Sequence, residues 1–247
     1  MTMKKNKNCV VYITHKVNPG IKHQIEVINN ATKMLLDFIV LYDVNSIKDD
    51  IASEFKEMKV IPFDSSKIDG FFFKGNKALP NPLLALIELS QKEIYDHYMM
   101  IENDILYKGK WEDFFFEILD VENVDYLHIA SDSMGGPRLH FPFKYIQNNP
   151  YPNVYFSWSQ LFYISKRFLL DVECFLDKND SFYYEFLLPT LAYHSNYRIC
   201  QFENYGFSFK VSWGPVEKYE NLYKKEKSSR TFYHPIKEVE LLKGNHK

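Results

Sequence analysis

Tyr95 to Ile101 form a run of apolar and aromatic side chains that ends abruptly in Glu102-Asn103-Asp104. Such a run reads as a buried strand. An acid buried without a compensating charge is costly, so this strand must deliver both carboxylates to an edge where positive charge meets them. Two acids one residue apart at such an edge can hold one hard cation through oxygen ligands, and Mg²⁺ or Mn²⁺ held in this way is commonly shared with substrate phosphates. An isolated Glu-x-Asp also occurs in solvated turns, and the apolar residues before this one count against that reading.

The flanking chain alternates strand and helix. Cys9 to Thr14 predicts a short buried strand, Pro19-Gly20 a turn, and Ile21 to Leu36 a helix with Ile21, Ile25, Ile28, Thr32 and Leu35 at helical spacing. Asp37 to Tyr42 predicts a second strand, closed by the polar stretch Asp43 to Asp50. This is a βαβ opening with parallel strands and a right-handed crossover. Ile51 to Met58 reads as a short helix and Val60 to Phe63 as a short strand. Pro80 and Pro82 then lead into an amphipathic helix over Leu83 to Ile94, with proline where a missing N–H costs little. That helix feeds Tyr98 to Ile101. Glu102 and Asp104 therefore fall at the carboxyl end of a strand after three βα steps, the edge at which open α/β sheets bind ligands.

Trp111 to Leu119 predicts a helix and Tyr126 to Ala130 another strand, after which Ser131 to Pro152 loses all periodicity. Irregular stretches of that length are often functional. Regular structure returns at Tyr155 to Ile164, with helices over Arg167 to Phe175 and Tyr184 to Ser195 and a late strand from Arg198 to Phe202. An aromatic stretch, Phe207 to Trp213, and a basic run, Lys218 to Arg230, follow. With no repeat and no clean boundary, residues 1–247 are expected to form one domain. Its parts would be one half to about residue 130, a second over 131–206 and a tail over 207–247.

Composition narrows the function classes. A net charge of -2 gives no basic footprint for nucleic acid. The three cysteines, Cys9, Cys174 and Cys200, match neither a disulfide framework nor a zinc pattern. The apolar stretch Cys9 to Ile13 is too short for a signal-peptide core and no segment approaches a membrane span, so a cytoplasmic protein is expected.

Four segments, in order across most of the chain, carry a resemblance. They are Tyr95-Asp96-His97-Tyr98, Gly109-Lys110-Trp111, the stretch from Glu185 through Pro189-Thr190 to Ala192, and the stretch from Phe232 through His234 to Lys237. Together they resemble the bacterial nucleotide-sugar glycosyltransferases of GT-A fold, in particular enzymes of surface-polysaccharide gene clusters. The resemblance implies a GT-A-like, Rossmann-type α/β/α sandwich with a central, mostly parallel sheet, in which residues to about 130 bind the nucleotide sugar, 131–206 form the acceptor side and 207–247 a mobile C-terminal closing segment. It also implies Mn²⁺ or Mg²⁺, a nucleotide diphosphate sugar as donor, and a glycan or lipid-linked acceptor. Glu102 and Asp104 would face the metal, with Asp104 the more direct ligand and Glu in place of the first Asp of the usual D-x-D. His234 would complete the cation site, and Lys237 would hold the diphosphate as a point charge. The bland alternatives are an exposed tail histidine and one more solvated lysine.

Glu185 is the candidate general base for the acceptor hydroxyl, which would make the transfer inverting; it also fits a first-turn acid favoured by the helix dipole. Asp132 is the rival base or a turn residue. Thr14 and His15 are placed to touch nucleobase or ribose, or to form a turn, and Asp43 to bind the nucleoside or end its strand. Tyr155 and Trp158 would stack on a sugar or belong to the core. The basic run, with Tyr219 and Tyr223 interleaved, would close over the donor, touch an anionic membrane surface, or stay solvated. Two other classes compete. A nucleotidyltransferase is disfavoured because His15 to Gly20 lacks a Gly-rich basic phosphate loop, and a glycan-binding or scaffold module would use the aromatic surface without chemistry.

Overall fold

The computed structural model describes residues 7–47, 51–67, 82–119, 121, 123–133, 150–176, 184–211 and 215–237. The chain opens with β1 (Asn8–Thr14), α1 (Pro19–Thr32), β2 (Asp37–Asp43), β3 (Lys59–Phe63), α2 (Pro82–Lys92) and β4 (His97–Glu102). It continues with β5 (Leu106–Lys108), α3 (Trp111–Leu119), β6 (Tyr126–His128), β7 (Ser131–Ser133), β8 (Tyr155–Ser157) and β9 (Leu161–Ser165). The remaining elements are α4 (Lys166–Leu176), α5 (Tyr184–Tyr193), β10 (Ile199–Gln201), β11 (Ser208–Val211), α6 (Val216–Lys225) and β12 (Thr231–His234).

Seven strands form the central sheet in the order β10-β6-β9-β4-β1-β2-β3. Only β9 runs antiparallel to its neighbours, β4 and β6. Both faces are covered. Along β1, Cys9, Val11 and Ile13 join the layer built on α2, α4 and α5, while Val10 and Tyr12 join the layer of α1 and α3. Side chains of a strand alternate between faces, so a strand buried on both sides reads as one continuous apolar run. The α/β/α sandwich expected from the sequence is present.

A second, three-stranded sheet has the order β11-β12-β5, with β12 parallel to β11 and antiparallel to β5. Aromatic packing seats it. Phe232 stacks on Tyr107 with ring centroids 4.3 Å apart and on Phe209 at 5.0 Å, and meets Trp111 edge-on at 5.8 Å. A Cβ at Gly109 would come within 2.4 Å of the Tyr107 ring, so only glycine leaves that ring in place.

Several expectations need correction. Pro19-Gly20 is no turn: it opens α1, with Pro19 at the first helical position and Asn18 Oδ1 accepting from Ile21 N at 2.9 Å. Ile51 to Met58 yields only a single 3₁₀ turn, Ile51–Ser53, with Phe55 buried behind it. Tyr155 to Ile164 splits, because β8 pairs with β7 in a two-stranded sheet while β9 crosses into the central one. Ser131–Ser133, at the start of the expected irregular stretch, is strand β7, and 134–149 lie outside the described residues. The basic run is α6 and the turn after it, with Tyr219 and Tyr223 buried as the inner face of a helix. The expected closing segment contains Phe232, Tyr233 and Ile236, all wholly buried, so this part of it belongs to the core. No helix among the described residues is long and apolar enough to cross a membrane.

Candidate metal centre

Glu102 is the last residue of β4, and the backbone after it is pinned from two sides. Tyr12 Oη lies 3.0 Å from Gln24 Oε1 and 3.3 Å from Asn103 O, and Gln24 Nε2 donates to Ile105 O at 2.6 Å. From the other side, Ile236 N donates to Asp104 O at 2.9 Å. β12 lies next to β5 and ends at His234, so the second sheet carries this imidazole to the corner where the first sheet delivers its acids.

His234 Nε2 is 3.1 Å from Asp104 Oδ1 and 3.8 Å from Glu102 Oε2. One ligand atom from each of the three residues lies within 4.8 Å of the others. Lys237 Nζ pairs with Asp104 Oδ2, and Tyr184 Oη donates to Glu102 Oε1 at 2.7 Å. Burial, reinforced by the neighbouring Asp104 charge, pushes the Glu102 carboxyl up to about 7. Burial acts on Asp104 in the same direction, but His234 and Lys237 outweigh it and hold that carboxyl well below the usual range. The environment thus drives two adjacent acids apart, a mark of functional sites.

The donor set fits a divalent cation. Two carboxylates and an imidazole suit Mn²⁺, whereas an all-oxygen cage would suit Ca²⁺ better. Lys237 pairs with Asp104 and not with Glu102, and a divalent charge between the two carboxylates would relieve their mutual repulsion. Glu102, Asp104, His234 and Lys237, expected to act together, are brought together.

The β1 edge lies within electrostatic range of this group. His15 is lowered first by burial and then by Lys16, with Asp104 opposing, and Lys16 is lowered by burial and by Lys237. Thr14, Asp43, Tyr155, Trp158 and Glu185 are held in local packing. Thr14 Oγ1 accepts from Lys16 N at 3.2 Å, a turn-forming contact. Buried Asp43 accepts from Asn45 N at 3.1 Å, Ser46 Oγ at 2.7 Å and Ser65 Oγ at 3.0 Å, so its carboxylate closes the loops after β2 and β3. Tyr155 stacks on Tyr193 at 4.5 Å, and Trp158 packs edge-on against Phe156 at 4.9 Å while touching both core layers. Asp132 sits on β7 opposite Phe156. Glu185, in the first turn of α5, is 0% exposed and accepts from Gln160 Nε2 at 2.8 Å.

Sequence reasoning missed Tyr184, Gln160, Tyr12, Gln24 and Lys16. Gln24 alone left a signal, a polar residue on the apolar stripe of Ile21, Ile25 and Ile28 that has to find a partner inside.

No family model and no curated protein matches the sequence. Among solved structures, an active-site mutant of LgtC superposes with a TM-score of 0.52 over 92% of this chain and 87% of its own, at 13% identity. A CMP:2-keto-3-deoxy-manno-octonic acid synthetase complexed with CTP reaches 0.47 over 79% of this chain and 88% of its own, at 12% identity. The mannosyltransferase PcManGT from Pyrobaculum calidifontis, in complex with GDP-Man and Mn²⁺, reaches 0.45 over 81% and 55%, at 11% identity. The chain spans 40% of the length of a mycobacterial protein of known structure that it also matches. At these identities the likeness speaks to architecture, and the architecture of this chain is a GT-A-like, Rossmann-type α/β/α sandwich.

Proposed function

We propose that this protein is a metal-dependent glycosyltransferase that moves a sugar from a nucleotide diphosphate sugar to a glycan or lipid-linked acceptor. The observation that carries this reading is the convergence of Glu102, Asp104 and His234 within 4.8 Å beside Lys237, at the ligand-binding edge of a GT-A-like sheet. Those three side chains would hold Mn²⁺ or Mg²⁺, which when bound neutralises a leaving diphosphate and acts on it as a Lewis acid. Lys237 supplies a mobile point charge that can pass from Asp104 to a phosphate oxygen. His15 and Lys16 add donors on the β1 side of the same corner, and Thr14 and Asp43 shape the turns that would border the nucleoside.

Proton removal from the acceptor falls to Asp132 or Glu185. Complete burial and the bond from Gln160 separate Glu185 from an arriving hydroxyl, which favours Asp132 and leaves inversion without support of its own. Tyr155 and Trp158 would line the acceptor side. A role in bacterial surface-polysaccharide synthesis rests on the sequence resemblance, and contact with an anionic membrane surface on the exposed Lys224, Lys225 and Lys227.

The test is nucleotide release from a panel of nucleotide diphosphate sugars with and without Mn²⁺. Release that requires Mn²⁺ and disappears in Asp104→Ala supports the reading. A protein that releases nucleotide from none of them is a binding module.

A further inference from the structure

Tyr184 and Glu185, consecutive residues at the start of α5, reach the same corner by different routes. Glu102 N donates to Gln160 O at 2.9 Å, and Gln160 Nε2 donates to Glu185 Oε1 at 2.8 Å. Tyr184 Oη donates to Glu102 Oε1 at 2.7 Å. These bonds form a ring that ties the first turn of α5 to the last residue of β4. Within it, the two oxygens of Glu102 are divided: Oε1 belongs to Tyr184, and Oε2 faces His234 Nε2 at 3.8 Å.

We infer that Tyr184 is a positioning residue of the metal centre, holding the Glu102 carboxylate so that it presents a single oxygen toward Asp104 and His234. The inference rests on the metal-centre reading above and goes beyond it, since Tyr184 is not one of the three clustered ligand residues. A free carboxylate rotates about its last torsion and can chelate through both oxygens; a phenol bonded to one of them fixes the plane and leaves the other to bind. Hydrogen-bond partners of metal ligands act in this way, and losing one typically costs about 10- to 100-fold in metal affinity. A buried hydroxyl that merely serves the fold would cost stability and leave the metal alone.

Mn²⁺ alone is the probe, with free ion followed by its electron paramagnetic resonance signal. The parent, Tyr184→Phe, Glu102→Gln and the double variant are titrated, and each is melted in chelator. Tyr184→Phe is expected to weaken Mn²⁺ binding about 10- to 100-fold. In the Glu102→Gln background the same change should move affinity by less than about threefold, because two residues acting through one contact are not additive. An unchanged affinity in Tyr184→Phe overturns the inference, as does an equal loss in both backgrounds or a Tyr184→Phe protein that fails to fold. Asp104→Ala separates the two levels. If it binds Mn²⁺ like the parent, the metal centre itself is wrong; if it loses the ion while Tyr184→Phe keeps it, only the role of Tyr184 falls.

Discussion

Lys237 Nζ meets Asp104 Oδ2 across 133 residues of chain, on a carboxylate whose other oxygen lies 3.1 Å from His234 Nε2. Both oxygens of Asp104 are therefore engaged, one of them by a lysine that would compete with a divalent cation. Lys237→Met is expected to tighten binding of Mn²⁺ alone by about 3- to 10-fold, the scale of one partly screened charge–charge contact. The same variant should bind nucleoside diphosphate plus Mn²⁺ more weakly than the parent. Calorimetric titrations with and without nucleotide check both signs, and a Lys237→Met protein with parental affinity in both would show that the pair is incidental.

Glu102 gives a pH dependence of defined sign. Its carboxyl is raised from 4.5 to about 7 by burial and by Asp104, so the native state holds its proton where the unfolded chain has released it. Metal-free stability is then full below the unfolded value and falls as pH rises through that window. Mn²⁺ needs the ionised carboxylate, so its affinity should climb as pH rises through about 7 and then level off. Melting temperatures in chelator should decline over this range in the parent and stay flatter in Glu102→Gln. Parallel profiles for the two proteins would remove Glu102 as the cause.

Arg230 is a joint between β11 and β5 of the second sheet and helix α3. It sits at φ 69°, accepts Ser208 N on its carbonyl at 3.0 Å, donates its own N–H to Lys108 O at 2.7 Å, and places its guanidinium on both oxygens of Glu117. Arg230→Ala should destabilise the protein by about 1–3 kcal/mol through loss of a half-exposed ion pair and of the contact with the Phe207 ring, the left-handed backbone strain being common to arginine and alanine. Arg230→Gly should recover about 1 kcal/mol of that, since glycine adopts this backbone without strain. Denaturant titration measures both, and a glycine variant less stable than the alanine one would contradict the backbone argument.

For transfer chemistry, Glu185→Gln and Asp132→Asn are expected to part company. With its carboxylate sealed against Gln160, Glu185→Gln should lower thermal stability and keep sugar transfer within about threefold, whereas loss of a positioned base at Asp132 should cost about 10²- to 10⁴-fold. Transfer rates at saturating donor decide it. The opposite result would return the base to Glu185, and inversion with it.

What was legible in the sequence followed from burial pattern. β1 and β4 announce themselves because strands covered on both faces are uninterrupted apolar runs, and the acids after Ile101 stand out against such a run. α3 begins at Trp111 and ends at Leu119, as its pattern predicts. β5, β11 and β12 were not legible as a sheet, because strands of three or four residues owe their existence to Tyr107, Phe209 and Phe232 meeting across the chain rather than to any local period. His234 was found through the resemblance alone. Tyr184 left no trace, since its bond to Glu102 depends on how α5 is turned, and the helix is apolar nearly all round.

The seating of β12 has an optical consequence. Trp111 is buried with its indole 5.8 Å from Phe232, stacked on Phe115 at 5.5 Å and edge-on to Tyr107 at 5.3 Å. An indole in so dry a setting emits toward the blue, and the first disturbance of Phe232 would let water reach it. Since Phe232 and His234 share one short strand, the colour of that emission should signal whether the imidazole is in place, before any global unfolding begins.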